Sequence, residues 1–223
     1  MTGIRRIIEG VNKAGRRVSL SAETGGSALL VARLKAGKLA IRPGDPPGEV
    51  RVEGGGDPER VRLRILDDER LGPIALVVAE HSNIEVRGDI RAAAVSATGS
   101  SITIDSLESP LDYVSARLAG SSAAIQAKLR RGGGLLASLK ASVIKAFLDP
   151  VEPGEYWIDL EASSSAARIM TPPGASYVLE GIPGEPVKSG LAVLVAQASK
   201  LHPTGPVRFY VRVRASGASL KLE

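Results

Sequence analysis

The side chains best placed by type and spacing to do chemistry are arginines on alternate positions. Arg60, Arg62 and Arg64 share one side of a run whose other side is Val61, Leu63 and Ile65. Arg208, Tyr210, Arg212 and Arg214 share a side opposite Val207, Phe209, Val211 and Val213. Period-two alternation puts such bases in solvent with the aliphatics inward. Residues 113–148 add Arg117, Lys128, Arg130, Arg131, Lys140 and Lys145 without an acid, and residues 186–223 carry Lys188, Lys200 and Lys221 besides the arginines, against Glu223 alone. Such rows can bind a polyanion, whether nucleic acid, an anionic lipid surface or an acidic polysaccharide. The candidate contacts are Arg60, Arg62, Arg64, Arg117, Arg130, Arg131, Arg208, Arg212 and Arg214. The competing reading is a solvated strand face whose arginines guard against aggregation, and no recognised nucleic-acid motif accompanies them.

Catalytic chemistry finds less. His81, in AEHSN (79–83), could act as a base beside Glu80 or Asp105, but it and His202, in LHPTGP (201–206), read as turn residues. Neither is accompanied by a Gly-x-Ser-x-Gly elbow. The Gly runs at 54–56 and 132–134 lack the Gly-Lys-Ser/Thr ending of a phosphate loop and read as turns. Asp149, Glu152, Glu155, Asp159 and Glu161 form an acidic cluster with no base among them. Asp159 and Glu161 share a strand side, which leaves room for metal binding or glycosidase-type acid catalysis, with a solvated acidic edge as the simpler reading. Trp157 beside them could stack a sugar; a core or cap role is the simpler reading. With no cysteine and two histidines, a thiolate zinc site, a cysteine nucleophile and a multi-histidine metal centre are excluded or nearly so. No catalytic residue, metal ligand or cofactor is expected.

The elements that must carry these residues are short strands. The 223 residues suffice for one ordinary domain or two small ones, and only seven are aromatic, so the core must be Val, Ile, Leu and Ala. The net charge is +5, and Asn and Gln are scarce, a thermophile-like composition. Alternating runs VSLSA (18–22), ALLVARL (28–34), KLAIRP (38–43), EVRVEG (49–54), RVRLRIL (60–66) and IALVVAE (74–80) are separated by Gly, Pro and Asp turns. RFYVRVR (208–214) and ASLKLE (218–223) read as two final strands joined at Ser216-Gly217. Residues 2–13 suit either a short helix capped by Thr2 or a strand over Ile4–Ile8. For LLASLKASVIKAFL (135–148) strand is favoured over helix. No apolar run is long enough to span a membrane and no N-terminal signal is visible, which sets a cytoplasmic expectation.

The middle of the chain repeats. NIEVRGDI (83–90), SITIDSLE (101–108), SAAIQAKL (122–129) and SVIKAFL (142–148) align with starts 18, 21 and 20 residues apart, and two begin Gly-Ser-Ser, at 99–101 and 120–122. ASYVLEGI (175–182) is a looser copy. A period near 20 with strand content predicts an all-β, β-solenoid-like stack, with a β-sandwich as the alternative. The expected organisation is an N-terminal cap over 1–17 and one repetitive domain over 18–223.

These stretches resemble the putative-adhesin, or toast-rack, group of bacterial and archaeal β-solenoid domains. The likeness runs through EVRVEGGGDPERVRLRI (49–65), NIEVRGDI (83–90), ATGSSITI (97–104), LAGSSAAI (118–125) and RASGASLKLE (214–223), and covers about Val18 to Glu223. SSSAA at 163–167 departs from it where a Gly is expected. VRGDI (86–90) gives a weaker likeness to bactofilin-like polymer-forming solenoids. The resemblance implies a non-catalytic structural or interaction module with a protein partner or self-association, and supplies no catalytic residue. Polyanion binding is the second reading; a carbohydrate-active enzyme on a β-helix is the third. The repeat alignment predicts Ile84, Val86, Ile102, Ile104, Ile125 and Val143 inward, stacked across adjacent strands.

Overall fold

The computed structural model describes residues 6–8, 17–44, 48–179, 193–196 and 205–223. Among them no α-helix occurs, and the chain is built of strands: β1 (Arg6–Ile8), β2 (Arg17–Glu23), β3 (Ala28–Leu34), β4 (Gly37–Arg42), β5 (Glu49–Gly55), β6 (Val61–Asp68), β7 (Gly72–Ala79), β8 (Ser82–Gly88), β9 (Ile90–Thr98), β10 (Ser100–Ala119), β11 (Ser122–Lys140), β12 (Val143–Pro150), β13 (Gly154–Ser163), β14 (Ala166–Met170), β15 (Ala175–Leu179), β16 (Val193–Ala196), β17 (Val207–Ser216) and β18 (Ser219–Leu222). The strand in residues 135–148 holds, and Arg6–Ile8 is strand. The rest of residues 2–13, read as either a short helix or a strand over Ile4–Ile8, and His202, Lys188 and Lys200, lie outside the described residues.

Parallel pairing assembles these strands into two faces. On the first the order is β6-β7-β3-β9-β10-β11-β13-β17-β15, with only β6 antiparallel to its neighbour. On the second it is β1-β2-β5-β8-β4-β10-β11-β12-β14-β18-β16, antiparallel only from β1 to β8. β10 and β11 serve both: their first halves pair on the second face and their second halves on the first. Chain order is broken at both ends. The β3/β4 pair sits inside β7/β8, and β17/β18 sits inside β15/β16.

A repeated corner sets the register. His81, Gly99, Gly120, Ala141, Ser164 and Gly217 turn from first face to second with φ between 48° and 58°, the left-handed region that costs a side-chain-bearing residue about 1 kcal/mol. A buried serine follows at Ser82, Ser100, Ser121, Ser142 and Ser165. Each hydroxyl donates to the carbonyl two residues earlier, at 2.6–2.9 Å. The hydroxyls of Ser121, Ser142 and Ser165 also accept the N–H of Ser100, Ser121 and Ser142, each at 3.1 Å. Burying a polar group without a partner is costly; here donor and acceptor are both used, and one coil is keyed to the next. The ladder meets Gly37 between Ser82 and Ser100, where a Cβ would stand 1.9 Å from the Ser82 carbonyl oxygen, and it ends at Ala218.

Beneath the corners, side chains stack by type. Ile84, Leu39, Ile102, Ala123, Ile144, Ala167 and Leu220 form one inward column, and Val86, Ile41, Ile104, Ile125, Ala146, Ile169 and Leu222 the next. Ala alternates with larger aliphatics, so the narrow interior fills without rings. The buried rings gather at the far end, where Phe209 packs on Tyr156 and Tyr177 at centroid distances of 5.4 and 6.2 Å. Five of the six residues expected inward are buried. Val143 is not: it is 54% exposed and Ile144 takes its place. The fourth copy begins at 143, since Ser122 pairs with Val143; its corner residue is Ala141, and without a glycine the repeat was set one residue early. ASYVLEGI is no copy of these strands either, because β15 lies on the first face.

Tyr177 donates its hydroxyl to the main-chain oxygen of Glu223 at 2.8 Å, with Thr171 Oγ1 2.8 Å away. Burial, the largest influence, pushes its pKa from 10.0 up to about 12. A neutral form held in the folded state stabilises fully below the unfolded pKa, and that contribution is lost as pH rises from about 10 to about 12. Denaturant unfolding will therefore show stability falling across this window, and Tyr177→Phe will flatten the fall. The corner ladder gives a second contrast. Ser121→Ala, which orphans the Ser100 N–H, should lower unfolding free energy by about 1–3 kcal/mol. Ser106→Ala should raise it by roughly 1 kcal/mol, because the Ser106 hydroxyl is buried without a partner. Ala141→Gly should raise it by up to about 1 kcal/mol by relieving the left-handed corner.

Candidate functional site

Outward positions on the first face form columns fixed by the same register. One reads Arg62, Val78, Arg33, Ser96, Arg117, Ser138, Glu161, Arg214 from β6 to β17. The next begins at Arg64 and Leu76 and ends at Leu136, Asp159 and Arg212; the third begins at Leu66 and Ile74 and ends at Tyr113, Gly134, Trp157, Tyr210 and Val178. An arginine column thus runs beside an apolar and aromatic strip on one surface.

The structure brings together several arginines that lie far apart in sequence. Arg62, Arg64, Arg117, Arg212 and Arg214 share this face, and Arg33, which the sequence reading passed over, falls between Arg62 and Arg117. A signal for it existed: Arg33 continues the alternation of ALLVARL. Arg60 sits at the corner, 3.4 Å from Asp57. Arg130 pairs loosely with Asp112 at 3.9 Å, and Arg131 packs near Gly154; both lie in β11 just before Gly132, and the Gly runs expected as turns fall mostly within strands, Gly54 and Gly55 in β5 and Gly132 to Gly134 in β11. The row on β17 is not a free basic surface. Glu155, Asp159 and Glu161 stand directly opposite Arg208, Arg212 and Arg214 on β13, and Arg212 Nη1 is 3.7 Å from Asp159 Oδ2. Three of the five acids in the cluster and the last arginine row are therefore two sides of one cross-strand ladder, while Asp149 lies opposite Lys128 on β11. Arg62, Arg33 and Arg117 have no acid next to them in that column; their neighbours are Val78, Ser96 and Ser138, and Glu161 enters only beyond Ser138.

Trp157 is 46% exposed, so it is no core residue. Its ring stacks on Tyr210 at 4.9 Å and 26°, and the Tyr210 hydroxyl donates to Glu155 Oε1 at 3.0 Å. Tyr156 points the other way and is wholly buried. Gly134 lies between Tyr113 and Trp157 in the register. A notch of about 310 Å³ opens beside it, walled by Tyr113, Leu136, Trp157 and Tyr210, with Asp159 and Arg212 at its rim. A larger hollow of about 680 Å³ on the second face, around Lys38, Asn83, Glu85, Ser101 and Thr103, has no ring in its lining. His81 is exposed at its corner, the turn position expected. Among the described residues no helix is long and apolar enough to cross a membrane.

No protein-family model and no curated protein matches the sequence. Among solved structures the chain is similar to a putative cell adhesion protein from Clostridium sporogenes, at 10% identity and a TM-score of 0.47, over 93% of this chain and 98% of that one. It is also similar to putative adhesins from Bacteroides fragilis (9% identity, TM-score 0.36, 96% of this chain and 100% of that one) and Parabacteroides distasonis (10% identity, TM-score 0.33, 93% and 98%). These three are a putative cell adhesion protein and two putative adhesins; the bactofilin likeness is not supported.

The opposite fates of adjacent rings give a direct test. Tyr156→Ala should cost about 3–5 kcal/mol of stability, the usual loss for a buried ring. Trp157→Ala should cost about 1 kcal/mol, the worth of one aromatic pair. Equal costs in denaturant unfolding would mean that Trp157 is part of the core.

Proposed function

We propose that the chain is a non-catalytic interaction module that binds through the outward side of its first face. The observation that carries this is the exposed aromatic strip, Tyr113 through Trp157 and Tyr210, held on a strand scaffold rather than in a loop. Rings of this kind supply large contact area at low entropic cost and are enriched at binding surfaces. Trp157 is the chain's single tryptophan, so its fluorescence reports directly on the proposed surface. Engagement of that face by a partner should shift or quench Trp157 emission, and Trp157→Ala should weaken the same association; binding that leaves Trp157 accessible to iodide would place the surface elsewhere.

Polyanion binding is a second reading, favoured by the arginine column. Arg62, Arg33 and Arg117 stand two strand spacings apart in turn, about 9.6 Å each, with no acid between them, so their potentials add along the stack. This reading moves the binding residues away from β17. On duplex DNA across a salt series, replacing Arg33, Arg62 and Arg117 by Ser should reduce the slope of log K against log salt by roughly 2–3. Replacing Arg208, Arg212 and Arg214, each opposite a carboxylate, should change it much less. Equal losses from the two triples, or no binding at low salt, would reduce the arginine column to a solubility feature.

A further inference from the structure

The notch at Gly134 has dimensions and chemistry that select among occupants. Along the column Tyr113, Gly134, Trp157, Tyr210, successive strands carry a ring, no side chain, a ring and a ring. The two adjacent rings stack at the strand spacing, 4.9 Å. Tyr113 and Trp157 are two strand spacings apart, about 9.6 Å, with only Gly134 between them in the register and the notch opening beside it.

A flat aromatic guest centred there would lie about 4.8 Å from each side. Carbon contacts are optimal at about 3.5–4.0 Å, so such a guest would touch one side and leave a gap at the other. A puckered, saturated six-membered ring carries C–H groups on both faces and fills the same space against both. The rim adds a carboxylate acceptor at Asp159 and guanidinium donors at Arg212, which pair with each other at 3.7 Å. Leu136, 46% exposed, borders the opening. Apolar faces with a polar equator are the chemistry of a sugar ring.

We propose that this notch receives a pyranose ring of a glycan chain, with Tyr113 and Trp157 against its faces and Asp159 and Arg212 on its hydroxyls. The assignment rests on the reading of the first face as the binding surface and names its ligand class. Gly134 itself is unsuited to mutation, because a Cβ there would meet the Trp157 carbonyl oxygen at 2.1 Å; the exposed rings carry the test instead.

The full chain, labelled on surface lysines, is applied to an array of defined neutral and acidic oligosaccharides. The best binder is then titrated by calorimetry, with N-acetyltryptophanamide as the planar control. The expected result is binding of at least one pyranose oligosaccharide, weakened about tenfold or more in both Tyr113→Ala and Trp157→Ala, each melting within a few degrees of wild type. Trp157→Tyr should retain part of the affinity. Should Trp157→Ala unfold, Tyr113→Ala decides alone. No oligosaccharide bound, equal binding in both variants, or tighter binding of the planar control would overturn the sugar assignment. If a protein or DNA association is lost in Trp157→Ala while no oligosaccharide binds, the sugar falls and the interaction face stands; if oligosaccharides bind without disturbing Trp157, both fall.

Discussion

A corner residue in the left-handed conformation followed by a buried serine is the constraint on which the rest of the molecule depends. The hydroxyl gives its proton to its own corner and receives the preceding coil's N–H, so a coil cannot slide along its neighbour without orphaning buried groups on both. Parallel pairing alone would tolerate a slip of two residues, which keeps the same side chains inward. The serine removes that freedom. Once the corners are aligned, each outward position becomes a column, and the properties of the surface follow: arginines that alternate along one strand align across strands, and a notch opens beside the single glycine between tyrosine and tryptophan.

The broken chain order at the ends has a related consequence. β17 and β18 lie between pairs that precede them in sequence, so the β13–β17 contact joins residues about fifty positions apart. That contact creates both the Trp157–Tyr210 stack and the carboxylate–arginine ladder. The Tyr210 and Arg212 side of the candidate site is therefore a product of the long-range insertion, while its Tyr113, Leu136 and Trp157 side comes from consecutive coils. Closing such a loop costs entropy that the contacts must repay, so the site depends on a non-local pairing being made.

How much of this was legible in the sequence depended on glycine. Gly99-Ser100 and Gly120-Ser121 announced their corners, and the coils that follow were placed in the right register. Ala141 and Ser164 adopt the same conformation without glycine, so their corners were hidden and the fourth copy slipped by one; the His81 corner, equally without glycine, was legible as a turn between two alternating runs. Trp157 was readable: it alternates with Ile158 and Leu160, on the same side as Asp159 and Glu161, and that alternation should have outweighed the tendency of tryptophan to be buried. The pairing of Glu155, Asp159 and Glu161 with the last arginine row was beyond a reading by pattern, because nothing local in either stretch shows that β17 passes over β15 to reach β13. The β-rich class, by contrast, followed from short alternating runs and scarce rings, and both have their cause in the narrow Ala-filled interior.

The central claim is geometric: the corner register places Arg62 on β6 and Arg214 on β17 in one outward column, seven strand spacings apart. The chain has no cysteine, so nitroxide labels can be attached uniquely at Arg62→Cys and Arg214→Cys and their separation measured by pulsed electron–electron double resonance. The account predicts a single narrow distribution centred at about 34 Å, seven steps of about 4.8 Å. A broad distribution, or one centred well away from that value, would contradict the column and with it the shared surface.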